Sequence, residues 1–261
     1  MIIEFVKYHG AGNDFIIVDN RKNTFDRKNN ILVAEMCHRR FGIGADGLML
    51  LQSHDKYDFE MVYYNSNGFE GTMCGNGGRC IVAYAKALNL FDKKTHFIAV
   101  DGEHKAEVLN NGDINLQIHD VDNVNKIDDY YFLDTGSPHC VVFKDTLDYI
   151  DVFAEGRRLR YDERFGLDGT NVNFVWLEND STLNIRTYER GVENETLACG
   201  TGIVASSIAA NVKTKSEVDD YTIFALGGRL RVRFDKNDGV YSNVWLEGPA
   251  VRVYDGVANM H

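Results

Sequence analysis

Hydrophobic and polar residues alternate through much of the first half of the chain, and this pattern predicts a domain rich in strands. We expect strands over residues 2–8, 15–19, 48–51, 59–64, 96–100, 105–109 and 114–118. Helical spacing of apolar residues is less frequent, and it predicts helices over residues 30–39, 77–90, 147–159 and 203–210. The fold class is therefore expected to be α+β, with strands dominating.

The second half of the chain repeats the landmarks of the first half in the same order. Arg40-Phe41-Gly42 recurs 124 residues later as Arg164-Phe165-Gly166, and Cys74 recurs 125 residues later as Cys199. Such constant spacing predicts two pseudo-symmetric domains that arose by internal duplication. The polar, acidic stretch 120–129 is the expected linker, so the predicted domains are residues 1–119, carrying Cys74, and 120–261, carrying Cys199.

Composition and net charge limit the kinds of molecule that this protein is expected to bind. The 261 residues include 44% hydrophobic residues and carry a formal net charge of −11, which argues against nucleic acid or an anionic membrane as a partner and leaves a small molecule. No long uncharged apolar run or basic leader is seen, so a cytoplasmic protein is expected. The five cysteines show neither disulfide nor zinc spacing, which favours free thiols and no metal.

Two of these cysteines stand in glycine-rich motifs that run into alanine-rich helical patterns. The motifs are Met73-Cys74-Gly75-Asn76-Gly77-Gly78 and Ala198-Cys199-Gly200-Thr201-Gly202. A cysteine at a helix start is a place where a thiolate is stabilised, and the N–H groups that follow suit a carboxylate. If both thiols flank one α-carbon, a thiolate can remove its proton from one face while a thiol returns a proton to the other face.

Four motifs in this order resemble the diaminopimelate epimerase family along essentially the whole chain. They are Gly10-Ala11-Gly12-Asn13-Asp14-Phe15, Met73-Cys74-Gly75-Asn76-Gly77-Gly78-Arg79-Cys80, Tyr188-Glu189-Arg190-Gly191 and Cys199-Gly200-Thr201-Gly202. The resemblance implies two similar domains, each a β-barrel-like sheet around a central helix. It also implies an epimerase, independent of pyridoxal phosphate or any other cofactor, that interconverts LL- and meso-2,6-diaminopimelate on the way to lysine and peptidoglycan.

The resemblance also implies a role for each matching residue. Cys74 and Cys199 would be the catalytic acid/base pair, and Arg190 would hold the distal carboxylate while Glu189 takes an ammonium group. The other expected substrate contacts are Asn13, Asn65 and Asn171 through their side chains, and Gly75, Asn76, Gly200 and Thr201 around the reacting carboxylate. His139 matches a supporting position beside the catalytic centre.

Simpler interpretations apply to several of these residues when each is taken alone. Asparagines are common in turns and caps, and a single histidine is more often structural than catalytic. Cys37, Cys80 and Cys140 lie on helix or strand patterns and are expected to be buried structural thiols.

Departures from the family pattern leave alternatives open. Many members have glutamine where this chain has Gly47 and asparagine where it has Ser137, and the segment from Arg190 to Cys199 is one residue longer than the commonest version. A racemase of another polar amino acid on the same fold is therefore a second hypothesis, and a thiol redox switch is a third. A homodimer is also left open.

Overall fold

The computed structural model describes residues 1–260, which form two compact units. The first unit consists of Met1–Leu116 together with the residues from Gly248 onward, and the second is Gln117–Glu247. Both units mix strands and helices, which confirms the α+β expectation.

The first unit is a mixed sheet with two helices. Its strands pair in the order β17-β1-β2-β3-β4-β5-β6-β7, with β2–β3 and β4–β5 parallel and the remaining neighbours antiparallel. The elements are β1 (Ile2–Gly10), β2 (Asn13–Asp19), α1 (Asn30–Cys37), β3 (Gly47–Gln52), β4 (Glu60–Asn65), α2 (Gly75–Ala87), β5 (Lys94–Ala99), β6 (Gly102–Val108), β7 (Ile114–Gln117) and β17 (Val251–Asn259).

The second unit repeats this plan. Its strands pair in the order β8-β9-β10-β11-β12-β14-β15-β16, with β10–β11 and β12–β14 parallel, and β13 adds to β12. The elements are β8 (Asn125–Ile127), β9 (Tyr130–Asp134), β10 (Pro138–Phe143), α3 (Val152–Arg160), a 3₁₀ turn (Glu163–Phe165), β11 (Asn171–Asn179), β12 (Thr182–Glu189), β13 (Asn194–Thr196), α4 (Gly200–Thr214), β14 (Asp220–Ala225), β15 (Gly228–Asn237) and β16 (Val240–Gly248).

Strand register confirms the duplication residue by residue. Phe15 on β2 pairs with Gly47 on the parallel strand β3, and His139 on β10 pairs with Asn171 on β11. Both members of the second pair lie 124 residues after those of the first. Because a slip of one residue would move every side chain to the opposite face, equal registers mean equal faces in the two units.

Each unit has a central helix. Helix α2 packs against β1, β2, β3 and β6, and α4 packs against β9, β10, β11, β12, β14 and β15. Most residues of both helices are buried. The small residues of the two motifs allow this, because Gly78 has Met73 and Leu116 within 3 Å of where its Cβ would be.

The outer face of each sheet is covered by the shorter helix. Leu32, Val33 and Met36 of α1 pack on a cluster with Ile16 and Leu48, while Val152 and Leu159 of α3 pack on the equivalent Cys140 and Val172. Strands β2 and β3 are thus covered on both faces, which explains why all six residues of β3 are buried.

The structure also differs from the sequence analysis in places. The last strand, β17, pairs with β1 and lies in the first unit, whereas the sequence predicts that residues 120–261 form one half. The expected linker 120–129 contains strand β8, and the helix expected over 147–159 begins at Val152, where the Asp151 side chain caps it. Among residues 1–260, no helix has the length and apolar character needed to cross a membrane.

Candidate active site

Both motif cysteines occupy the position immediately before a central helix. Cys74 precedes α2 and Cys199 precedes α4, each with extended backbone angles, at φ −89° and ψ 130° and at φ −109° and ψ 110°. The N–H groups of the first helical turn have no partner within the helix. In each unit a sulfur therefore lies beside backbone N–H donors that suit an anion. These belong to Gly75 and Asn76 in the first unit and to Gly200 and Thr201 in the second.

Cys74 lies against the side chain of Asn13. Its Sγ is 3.6 Å from Asn13 Oδ1, and Asn76 Nδ2 is 3.4 Å from the same oxygen. The Nδ2 of Asn13 donates to Asp46, over 2.6 Å. Asp46 also pairs with Arg39, at 2.7 Å, so its carboxylate only accepts and fixes which way the Asn13 amide points.

The buried Arg79 side chain is hydrogen-bonded to the first residues of α2. The side chain is fully buried, and its guanidinium donates to Asn76 Oδ1 over 2.8 Å, to the Gly75 carbonyl over 3.3 Å and to the Pro249 carbonyl over 3.5 Å. A buried charge is tolerated only when it is bonded in this way, and the bonds fix the orientation of the Asn76 amide.

Asn65 ends β4 with an exposed side chain. The Tyr63 hydroxyl donates to its Oδ1 over 3.2 Å. Position 47 pairs with Asn65 across the sheet, so Gly47, Tyr63 and Asn65 form one small cluster.

In the second unit, Cys199 lies beside Thr201. The sulfur is 3.5 Å from Thr201 Oγ1, which is 2.9 Å from His139 Nε2. The Thr135 hydroxyl donates to the Thr201 carbonyl over 2.9 Å. His139 is fully buried, and its burial, with a smaller effect of Arg190, lowers its pKa to about 3. His139 is therefore neutral near pH 7.

Asn171 gathers a second group of expected site residues. Its Nδ2 donates to Ser137 Oγ over 2.8 Å and to the Pro138 carbonyl over 3.0 Å, and its Oδ1 accepts the Arg190 backbone N–H over 2.8 Å. Glu189 ends β12 next to Arg190. The structure thus brings Ser137, Asn171 and Arg190 together within the second unit.

Comparison with known proteins decides the family. A family model described as diaminopimelate epimerase matches the chain twice, over residues 5–127 and 131–253. A diaminopimelate epimerase from Flavobacterium psychrophilum is 49% identical over 253 residues, which is 97% of this chain and 99% of that protein. The chain belongs to the diaminopimelate epimerase family.

A further relative has the same name, and two solved structures share the fold. A diaminopimelate epimerase from Chlorobaculum tepidum is 39% identical and covers 96% of this chain and 99% of its own length. A PhzF-family phenazine biosynthesis protein from Bacillus anthracis has a TM-score of 0.80 at 13% identity, covering 100% of both chains. A hydroxyproline epimerase from Agrobacterium vitis has a TM-score of 0.66 at 12% identity, over 98% of this chain and 92% of that one. At these identities the two structures show a shared fold.

The three remaining cysteines are buried, as their positions in helix and strand patterns predicted. Cys37, Cys80 and Cys140 are free and buried, and burial raises the pKa of all three thiols, to about 12 for Cys37 and Cys140. A thiol with so high a pKa stays protonated at neutral pH and is a poor base or nucleophile. Among residues 1–260, no group of three or more His, Cys, Asp or Glu side chains is placed to hold a metal ion.

The sequence-based predictions missed several residues of this candidate site. Asp46, Tyr63 and Asn173 received no role, although each contacts an expected site residue or lies in its network. Arg79 stood within the quoted motif without a role. Asn173 was accessible to inference, because on strand β11 it lies two residues after Asn171 and so shares its face.

Proposed function

We propose that this protein interconverts LL- and meso-2,6-diaminopimelate without a cofactor, in the biosynthesis of lysine and peptidoglycan. Membership of the diaminopimelate epimerase family, at 49% identity to a relative of that name, carries the proposal. The presence of one cysteine before each central helix supports an acid/base mechanism that uses two thiols.

In the proposed reaction the two thiols act on opposite faces of the reacting α-carbon. One sulfur, as thiolate, removes the α-proton, and the other, as thiol, delivers a proton to the opposite face, so the configuration inverts and the roles exchange. The α-proton of an amino acid is very weakly acidic. Donors aimed at the reacting carboxylate must therefore stabilise the carbanion, and the N–H groups of Gly75, Asn76, Gly200 and Thr201 are our candidates.

The remaining contacts would fix which amino acid enters. We assign Asn13, Asn65 and Asn171 to the amino and carboxylate groups of the substrate, Arg190 to the distal carboxylate and Glu189 to an ammonium group. Two observations support this assignment. Asn13 lies against Cys74, and Asn171 accepts the backbone N–H of Arg190. An arginine fork suits a carboxylate because it donates two parallel hydrogen bonds. His139 would support the centre from within the second unit.

The experiment is incubation of the reduced protein with LL-diaminopimelate in D₂O, with no pyridoxal phosphate or metal added. Chiral chromatography with mass spectrometry would follow isomer composition and deuterium at the α-carbons. We expect conversion to the meso isomer with solvent deuterium at one α-carbon. Absence of both conversion and exchange in folded, reduced protein would contradict the proposal.

A racemase of another polar amino acid is the second candidate, and the cluster around Gly47 favours it. Tyr63 occupies the space beside Gly47 and reaches Asn65, so one predicted substrate contact differs from the glutamine of many family members. A panel of L-amino acids in D₂O would reveal such an activity as α-exchange in a compound other than diaminopimelate.

Location and assembly remain predictions. A cytoplasmic place fits an enzyme that acts on a small amino acid, and fractionation of cells would test it. Size-exclusion chromatography with light scattering would show whether the 29.5 kDa chain forms a homodimer.

A further inference from the structure

The two motif sulfurs face different hydrogen-bonding groups: a donor lies beside Cys199 and an acceptor lies beside Cys74. We propose that in the substrate-free enzyme Cys199 holds the thiolate and Cys74 holds the proton, because a fixed donor faces Cys199 and a fixed acceptor faces Cys74. The proposal deepens the proposed function and rests on it only in taking these cysteines as the acid/base pair.

The direction of the bonds at Cys199 begins at Asn173. Its Nδ2 lies 2.9 Å from His139 Nδ1 and 3.5 Å from the carbonyl of Cys140, and a carbonyl only accepts. The Thr187 hydroxyl donates to the amide oxygen of Asn173 over 3.0 Å. Asn173 therefore presents its NH₂ group to the imidazole, and Nδ1 of His139 must accept.

The protonation of the imidazole then sets which way the hydrogen bond to Thr201 points. Because His139 is neutral and its Nδ1 accepts, its one proton is on Nε2, which donates to Thr201 Oγ1 over 2.9 Å. Because the Thr201 oxygen accepts from His139, the Thr201 hydroxyl donates its own proton to the sulfur of Cys199, 3.5 Å away. A donor aimed at sulfur stabilises a thiolate. An asparagine beside Nδ1 enforces the same Nε2–H tautomer in the Asp→Asn variant of a serine-protease triad.

The opposite direction holds at Cys74. Asn13 donates from Nδ2 to the carboxylate of Asp46, over 2.6 Å, so its Oδ1 is the atom that faces Cys74. Asn76 also directs its NH₂ to this oxygen, over 3.4 Å, because Arg79 donates to the Asn76 oxygen. An amide oxygen 3.6 Å from the sulfur accepts from a thiol and repels a thiolate.

The duplication provides an internal comparison. A Cβ on Gly202 would lie 2.3 Å from Asn173 Oδ1 and 3.2 Å from His139 Cε1, so the third residue of α4 must be glycine to admit the polar pair. The equivalent Gly77 instead faces the sulfur of Met49, at 3.3 Å, and the ring of Phe15, at 3.5 Å. His139 and Asn173 of this polar chain thus occupy places that are apolar in the first unit, where Phe15 and Met49 stand.

Burying these polar side chains costs free energy that an apolar core would not, which points to a functional role. His139, Asn173 and Thr187 are at most 3% exposed, and core positions of this kind are apolar at Phe15 and Met49. A fully bonded polar network in a core rigidifies the groups at its end. We assign His139, Asn173 and Thr187 as positioning residues that act on Cys199 through the hydroxyl of Thr201.

The test is competitive alkylation of the reduced, substrate-free enzyme by limiting iodoacetamide at pH 7.5, with labelling of Cys74 and Cys199 followed by peptide mass spectrometry. Thiolates react and thiols do not. We expect Cys199 to react about tenfold faster than Cys74, in line with a hydrogen bond to a charged group. Access alone predicts the reverse, because Cys199 is 9% exposed and Cys74 is more exposed. Equal rates, or faster labelling of Cys74, would overturn the proposal.

Two variants separate the hydroxyl from the rest of the side chain. Thr201→Val should slow labelling of Cys199 about tenfold, while Thr201→Ser, which keeps the hydroxyl, should retain the rate. An unchanged rate in a folded Thr201→Val protein would contradict the proposal, because the Thr201 hydroxyl would then not stabilise the thiolate. These readouts need no turnover, so they can fail while epimerisation stands, and the deuterium experiment can fail while they succeed.

Nuclear magnetic resonance of the ¹⁵N-labelled histidine ring tests the direction of the chain without a variant. We expect the Nε2–H tautomer of His139 in the wild type. Asn173→Asp replaces the NH₂ donor with an acceptor and should place a proton on Nδ1 and slow labelling of Cys199. A wild-type ring protonated on Nδ1 alone would overturn the proposal.

Discussion

The ring of Tyr63 fills the space that a side chain at position 47 would need. A Cβ on Gly47 would lie 2.6 Å from Tyr63 Cε2 and 2.6 Å from the Tyr64 carbonyl, closer than real Cβ contacts come. Gly71 packs against the same ring. A Cβ added there would lie 3.3 Å from Tyr63 Cδ1 and Cε1, so the glycine makes room for the ring. The Tyr63 ring and the Tyr64 carbonyl thus leave no room for a side chain at position 47, and the Tyr63 hydroxyl bonds to Asn65.

Removal of that hydroxyl should affect substrate binding more than folding. Tyr63→Phe keeps the ring against Gly47 and loses the hydrogen bond to Asn65, so we expect KM to rise by about three- to tenfold, with Tm nearly unchanged. Steady-state kinetics and thermal unfolding would measure the two effects. Tyr149→Phe, at a side chain that is 93% exposed, is the matched control. A KM equal to that of the wild type would show that Asn65 is held by other contacts.

Loss of either motif cysteine should stop inversion. Cys74→Ala and Cys199→Ala each remove one of the two proton-transfer groups, and we expect a fall in kcat of about 10²–10⁴-fold or more. Isomer composition measured with time gives the rate. Cys140→Ala is the control, because its thiol is buried and its pKa is raised, so activity should persist even if Tm falls. Full turnover by either motif variant would exclude the mechanism that uses two thiols.

Arg190 should matter for affinity. Arg190→Lys keeps the charge but loses the planar fork, and we expect KM for diaminopimelate to rise about tenfold or more while Tm changes little. The exposed Arg157 on α3 offers a control as Arg157→Lys. If KM for diaminopimelate does not change in the Arg190 variant, the distal carboxylate binds elsewhere.

Asp14 should make the first unit sensitive to acid. Burial would raise its pKa, but hydrogen bonds and charge from Arg39 and Lys7 outweigh burial and lower the pKa to about 2. A carboxyl with a pKa lower in the folded than in the unfolded state stabilises the fold at neutral pH, and this stabilisation is lost as pH falls from about 4 towards 2. The shift corresponds to about 2 kcal/mol.

Urea unfolding at pH 7 and at successively lower pH would measure the Asp14 effect. Asp14→Asn should lower the free energy of unfolding at pH 7 and should flatten its decline in acid relative to the wild type. Parallel acid profiles of the two proteins would show that the interactions of Asp14 with Lys7 and Arg39 contribute nothing measurable to stability.

The fold plan was accessible from the sequence because it depends on local patterns. Alternation identified the strands of the first half to within a few residues, and constant spacing between landmarks revealed the duplication that the equal registers of β2–β3 and β10–β11 confirm. Helix α2 was placed two residues late, since its first turn consists of glycine and asparagine, which are weak helix formers.

The sequence by itself determined the duplication, the cysteine before each central helix and the family, because these follow from residue order and from the chemistry of a helix start. Only the tertiary structure decided that β17 returns to the first unit, that Tyr63 fills the space at Gly47, and that Asn173 orients His139. Each of these depends on groups far apart in the chain. The direction of a hydrogen bond in particular is set by which atoms the fold places opposite each other, and no local pattern contains that information.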